Sequence, residues 1–381
     1  MILSRNRYIL PAIRDDLKHK MVFVGGPRQI GKTTMALHLL GANSNKLPNT
    51  YLNWDIAAHR QAILRNELPQ GKILVFDEIH KFARWRSLMK GFYDQYSSTR
   101  SALVTGSARL DHYRKGGDSL IGRYHYYRLH PYSLRELSTK PTATDLEQLL
   151  VFGGFPEPLA SNSQRSWRRW QRERMARVVY DDLRDLEKVA ELSFIELLIE
   201  ALPTRIGSPL SLQAIREELQ VSHDSIRRWL QILENLYVCF RIAPFGAPRI
   251  RAVKKEQKLY FWDWSQAPSG GPRFENFIAA QLLKYCHYIE DSEGYSMELR
   301  FLRDTDGREV DFVVVQDKAP LFAVECKTGE RGVSKAARYF RERTKIPRFY
   351  QVHLGKRDFG DEYSDVRVIP VWRWINELKL P

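Results

Sequence analysis

Apolar and polar positions alternate in blocks along the first third of the chain. Short apolar runs at residues 21–24, 50–54, 73–76 and 103–104 are separated by stretches long enough for a helix. Strand-like runs at that spacing predict a parallel sheet with helical crossovers. Residues 132–190 read as mostly helical, interrupted at Gly153-Gly154-Phe155-Pro156. Three helical patterns follow in residues 194–244, ending in a strand-like run at 237–242, with 258–262 as its partner. Beyond the turn-rich segment 268–272 a second α/β pattern begins. It has a helix from about Phe274 and strands at 299–302, 310–315 and 321–326. No fixed-period repeat and no apolar run of about 18 residues is present, so neither a solenoid nor a membrane-spanning helix is expected.

The sharpest chemical signal lies directly after the first apolar run. Gly26-Pro27-Arg28-Gln29-Ile30-Gly31-Lys32-Thr33-Thr34 is a complete G-x-x-x-x-G-K-[ST] between a strand and a helical pattern. Glycines allow a tight loop whose backbone N–H groups face phosphate oxygens, and the following helix adds its positive end. In such a loop Lys32 neutralises the β- and γ-phosphates and Thr33 holds Mg²⁺. The run at 73–76 ends in Asp77-Glu78, placing Asp77 to reach Mg²⁺ and Glu78 to orient or deprotonate the attacking water. The next strand ends in Thr105-Gly106-Ser107, a polar tip suited to the γ-phosphate or the water. Arg109 and Arg123 are both candidates for the cation that phosphoryl transfer calls for.

These residues resemble prokaryotic AAA-type P-loop ATPases with a G-P-R-Q-x-G-K-T-T loop. The likeness extends to Asp77-Glu78, to Thr105-Gly106-Ser107 and to Gly122-Arg123. It includes Leu129-His130-Pro131-Tyr132-Ser133 and the stretch Gly153-Gly154-Phe155-Pro156-Glu157. The resemblance implies an ATP hydrolase using ATP and Mg²⁺, working as a homo-oligomer, with Arg123 as sensor or finger. It also implies a C-terminal half, historically of unassigned function, with a winged helix and a PD-(D/E)xK nuclease-like domain. The expected fold class is α/β: a P-loop AAA-type ATPase core (1–130), a helical lid and basic linker helix (131–192), a winged helix (193–265) and a PD-(D/E)xK-like α/β domain (266–381).

Charge adds a partner. With 60 Lys and Arg against 45 Asp and Glu the net charge is +15, a field that attracts polyanions, nucleic acid first. On a helix Arg165, Arg168, Arg169 and Arg172 share one face, a strip suited to a phosphate backbone. Trp167 and Trp170 beside them either stack on bases or anchor the helix. Ser211 reads as the N-cap of a short helix, and a turn leads into a second, amphipathic helix from His223. Ile226, Leu230 and Leu233 would be buried there, with His223, Ser225, Arg227 and Arg228 outward. Arg249, Arg251, Lys254 and Lys255 between the wing strands are further phosphate contacts.

In the C-terminal part Asp311 opens one strand, and Glu325 and Lys327 share a face of the next, with Glu275 on the preceding helix. Carboxylates beside a lysine suit a second Mg²⁺ site, and Asp311, Glu325 and Lys327 match the PD-(D/E)xK pattern, although Val310 stands where its proline would be. Three widely spaced cysteines form neither a disulfide framework nor a metal pair, and the first ten residues lack a secretory signal, so a cytoplasmic chain without membrane attachment is expected. The leading expectation is a DNA-binding AAA-type ATPase that remodels or translocates on branched or forked DNA in repair or recombination. The alternatives are an ATP-gated Mg²⁺-dependent DNA nuclease and a nucleotide-gated signalling or defence switch that binds protein.

Overall fold

The computed structural model describes residues 3, 6–42, 47–106, 120–178, 189–246, 257–361 and 365–381. Two compact units emerge: residues 2–130 with 291–293, and residues 131–290 with 294–381.

The first unit is built on a five-stranded sheet, β1 (Met21–Gly25), β2 (Tyr51–Asn53), β3 (Ile73–Asp77), β4 (Ser101–Thr105) and β5 (Tyr124–Arg128), in the order β2-β3-β4-β1-β5. Every pairing is parallel. Met21, Phe23, Leu74, Phe76, Ala102 and Val104 line one face and pack on Trp85, Met89 and Phe92 of helix α4 (Trp85–Tyr96). Val22, Val24, Val75 and Leu103 on the other face are also fully buried. Burial on both sides is why these runs are continuously apolar. Helices α1 (Leu10–Asp16), α2 (Lys32–Leu39) and α3 (Ala57–Leu64) belong to the same unit. Four strands coincide with the apolar runs; β5, Tyr-His-Tyr-Tyr-Arg, carries too little aliphatic pattern to read as a strand.

The second unit opens with α5 (Leu134–Leu137), α6 (Ala143–Phe152), α7 (Pro156–Ser161) and α8 (Gln164–Arg177). The Gly-Gly-Phe-Pro stretch is where α6 turns into α7, and it is a packing motif. A Cβ on Gly153, whose φ is +75°, would lie 2.4 Å from an Asp263 carboxylate oxygen, and one on Gly154 would lie 2.5 Å from Trp264. Then come α9 (Val189–Ala201), α10 (Leu212–Leu219), α11 (His223–Asn235) and the antiparallel pair β6 (Cys239–Pro244) and β7 (Lys258–Phe261). Ser211 caps α10 as its sequence predicts, accepting from the Ala214 N–H, and Ser222 caps α11.

Helix α12 (Gly271–Glu293) begins three residues before Phe274, because Gly270 takes the left-handed entry at φ +89° and Pro272 fits the first turn. It is followed by β8 (Met297–Arg303), β9 (Glu309–Gln316), β10 (Ala319–Lys327), α13 (Lys335–Arg343), β11 (Phe349–His353), β12 (Phe359–Asp361), β13 (Val366–Pro370) and α14 (Val371–Glu377). These strands do not form a sheet apart from the β6–β7 hairpin. One eight-stranded mixed sheet runs β12-β13-β11-β10-β9-β8-β6-β7, joined where Ala243 and Pro244 pair in parallel with Arg300 and Phe301. Among the described residues no helix is long and apolar enough to cross a membrane.

Candidate functional site

Parallel register sets the site. β4 lies between β1 and β3, with Asp77 opposite Thr105 and Val24 opposite Thr105, so the loop after β1 and the tips of β3 and β4 meet at one edge. This carboxyl-terminal edge is where open parallel sheets bind ligands.

Positive-φ backbone shapes the loop, most of it on glycine. Gly26 has φ +144°, and a Cβ there would sit 2.6 Å from the Leu129 carbonyl oxygen. Gly31 enters α2 at φ +94°, and Gln29 takes φ +62°. Ile30 is fully buried, and its carbonyl accepts from Arg7 Nη1 at 3.0 Å. Arg7, itself 2% exposed, also donates to the His130 carbonyl at 2.5 Å, tying the loop to the strand end after β5. Thr33 and Thr34 remain exposed at the start of α2. Lys32 is buried, and its Nζ donates to the carbonyls of Gly26 (2.9 Å) and Pro27 (2.7 Å). The ammonium is therefore held inside the loop by neutral acceptors, from which a phosphate oxygen would draw it more strongly.

Asp77 is 2% exposed and receives three hydroxyl donors: Thr33 Oγ1 at 2.7 Å and Tyr51 OH at 2.6 Å on Oδ2, and Thr105 Oγ1 at 2.6 Å on Oδ1. Thr33 and Asp77, the residues expected to hold Mg²⁺, are thus already in contact. Tyr51 was not foreseen, since nothing near it in sequence points to a carboxylate 26 positions away. Burial first, then the Asp77 charge, pushes its phenol far above the ordinary range, so it stays a donor.

Glu78 takes the left-handed conformation at φ +56°, and its N–H donates to the Thr105 carbonyl at 2.9 Å. Its carboxylate lies 3.3 Å from Lys81 Nζ, which also pairs with Asp55 at 2.5 Å. Burial raises the Glu78 pKa above the ordinary carboxylate value, and Lys81 holds it back down. These shifts suit a base for a water nucleophile.

Arg123 does not join this edge within its own chain. β5 pairs with β1 so that Tyr124 faces Met21 and Arg128 faces Gly25. Arg123 therefore sits at the opposite end of the sheet, about 16 Å away at ~3.3 Å per residue, where it pairs with Asp94 at 3.0 Å. Ser107 and Arg109 lie outside the described residues, as do Arg249, Arg251, Lys254 and Lys255.

In the second unit Arg165, Arg168, Arg169 and Arg172 are exposed along α8, as their spacing predicts. The tryptophans between them are anchors. Trp170 is 2% exposed, against Phe155, and Trp167 Nε1 donates to Ser265 Oγ at 3.0 Å. On α11 Ile226, Leu230 and Leu233 are buried, and Trp229 joins them. Arg227 is exposed but pairs with Asp224 at 3.1 Å and contacts His223 Nδ1 at 3.3 Å, and Arg228 pairs with Glu191.

The C-terminal acids do converge. Lys327 Nζ lies 2.6 Å from Glu325 Oε1, and the Cys326 N–H donates to Asp311 Oδ2 at 2.8 Å. Three residues that the sequence did not single out sit among them: Glu309, Tyr260 and the fully buried Lys258. Burial first, and then the Asp311 charge, raises the pKa values of Glu275 and Glu325. Burial alone would depress the Lys258 ammonium, but Glu275, Asp311 and Glu309 outweigh it and push its pKa up. Glu325 Oε2 is buried without a hydrogen-bond partner, in keeping with a carboxyl driven toward its neutral form. Among the described residues no three His, Cys, Asp or Glu side chains are arranged to hold a metal ion.

Comparison with known proteins divides the chain in three. Residues 18–138 match an AAA domain, residues 143–268 a domain of unknown function (DUF8612) and residues 270–374 another domain of unknown function (DUF4143). No curated protein matches. Among solved structures the chain is similar to a mutant of Thermotoga maritima RuvB, at 18% identity over 63% of this chain and 90% of that one, with a TM-score of 0.31. It is similar to Aeropyrum pernix ORC1 in complex with DNA, at 14% identity over 69% and 90%, TM-score 0.31. A STAND protein with a tetratricopeptide repeat sensor from Pyrococcus horikoshii shares 12% identity over 77% of this chain and 48% of that one, TM-score 0.29. With its phosphate loop, acid-tipped strand and parallel sheet, the segment 18–138 is a P-loop domain of the AAA type.

Proposed function

We propose that the chain hydrolyses ATP with Mg²⁺ at the edge formed by the phosphate loop, Asp77, Glu78 and Thr105, and that DNA is its macromolecular partner. The observation that supports hydrolysis best is the Asp77 carboxylate, held by Thr33, Tyr51 and Thr105 beside the loop. In this reading Lys32 leaves the Gly26 and Pro27 carbonyls for phosphate oxygens. Thr33 and Asp77 would hold Mg²⁺, which would supply charge neutralisation on the phosphates. Glu78 takes the proton of the attacking water, and Thr105 keeps Asp77 oriented. Arg123, at the far end of the sheet, serves the site of a neighbouring copy, so full activity requires assembly.

The DNA part of the proposal rests on α8. Its four exposed arginines carry no ion pair among the described residues, whereas Arg227 and Arg228 on α11 are already compensated. Phosphate-backbone contact is therefore assigned first to Arg165, Arg168, Arg169 and Arg172, with the α10–α11 pair and its β6–β7 hairpin as a winged-helix element in support. Such contact recognises the backbone and not base sequence. Hydrolysis should be stimulated by DNA, and the stimulation should fall when Arg168 and Arg172 are replaced by alanine. Stimulation that survives the double substitution would contradict the assignment.

A further inference from the structure

The acid cluster of the second unit has the composition of a divalent-cation site, yet one of this chain's own side chains stands inside it. Lys258, on β7, is fully buried. Its Nζ lies 2.5 Å from Glu309 Oε1, 3.3 Å from Glu275 Oε1 and 3.8 Å from Asp311 Oδ1. An ammonium has three donors and no acceptor, and here it faces three carboxylates from α12 and β9. Tyr260, two residues along the same strand, donates to Glu275 Oε1 at 2.8 Å and fixes that carboxylate toward the lysine. Lys327 takes Glu325 in the same way, at 2.6 Å.

We propose that Lys258 is the resident cation of this cluster, and that the native chain takes no divalent metal there. A buried lysine is tolerated only where its charge is compensated, and the carboxylates that compensate Lys258 give up to it part of the negative charge that would draw Mg²⁺. Access is not what is lacking. A cavity of about 280 Å³, lined in part by Gly207, Ser208, Glu275, Cys326 and Thr328, opens beside the cluster. Gly207 approaches the Glu275 carboxylate so closely that a Cβ would lie 2.9 Å from Oε2. The cluster is thus an ion-paired knot tying β7 to α12 and β9, and through Asp311 to β10, and not a metal-dependent cleavage centre. This inference stands on the second unit alone and is independent of the ATPase reading.

The test is Mn²⁺ binding to the nucleotide-free full chain, followed by the electron paramagnetic resonance of free Mn²⁺. The native chain is compared with Asp311→Asn, Lys258→Met and the double variant, so that binding elsewhere cancels. The native chain and Asp311→Asn should bind equally. Lys258→Met should gain about one Mn²⁺ per chain, coordinated by the released carboxylates, and the double variant should lose it. Native binding that falls in Asp311→Asn would overturn the proposal. So would a folded Lys258→Met that gains nothing. Should Lys258→Met fail to fold by circular dichroism, the native and Asp311→Asn comparison decides alone, equality supporting the proposal and a difference refuting it.

Discussion

At the scale of single residues the nucleotide site is organised around one carboxylate. Three hydroxyls converge on Asp77 from the helix after the loop, from β2 and from β4. Replacing Tyr51 by phenylalanine removes one donor and leaves two, so stability should fall by about 1 kcal/mol, read from urea unfolding. The same variant should need more Mg²⁺ for half-maximal hydrolysis, because Asp77 is less firmly aimed. Glu78 carries a pH prediction. Burial raises its pKa and Lys81 lowers it, so hydrolysis should rise with pH as Glu78 loses its proton. In Lys81→Ala the lowering partner is gone, and the acid limb of the rate profile should move to higher pH. An unmoved or downward-shifted limb would remove Glu78 from the role of base. The loop was legible in the sequence because its chemistry is contiguous, nine residues running from the end of a strand into the first turn of a helix. Tyr51 and Arg7 were not, because their partners lie between 23 and 123 positions away.

At the scale of elements, caps and amphipathic faces were readable and pairing partners were not. Ser211 and the buried face of α11 follow from local spacing. β5 escaped because its strand character comes from β1, against which it is registered. The same register carries Arg123 to the far end of the sheet, which no linear motif shows. Helix α6 offers a check on the local chemistry. Its capping box joins Thr142 and Asp145, with the Thr142 N–H donating to Asp145 at 2.8 Å and the Asp145 N–H to Thr142 at 3.2 Å. Thr142→Ala should cost about 1 kcal/mol, measured by thermal or denaturant unfolding. Helix α8 tests the partner. If Arg168 and Arg172 each neutralise a phosphate, their joint replacement should lower the slope of log affinity against log salt by roughly 1.8. An unchanged slope would free α8 from DNA contact.

At the scale of the whole molecule a net charge of +15 accompanies an ATPase domain and a mixed-sheet unit whose acid cluster carries its own cation. Composition points to a polyanion but not to where it would bind; the proposal assigns it to α8, whose arginines are exposed, over α11, where Arg227 and Arg228 are ion-paired. Assembly has its own signature. If Arg123 acts on a neighbouring copy, Arg123→Ala should bind ATP normally yet lose about 10³-fold in turnover, and native turnover per chain should rise with protein concentration. The most direct test of the central claim is steady-state ATP hydrolysis by the native chain and Lys32→Ala, with no DNA and with single-stranded, duplex, forked and four-way DNA. The account predicts Mg²⁺-dependent hydrolysis stimulated by DNA and abolished in Lys32→Ala. Hydrolysis that is indifferent to every DNA form, or that persists in Lys32→Ala, would contradict it.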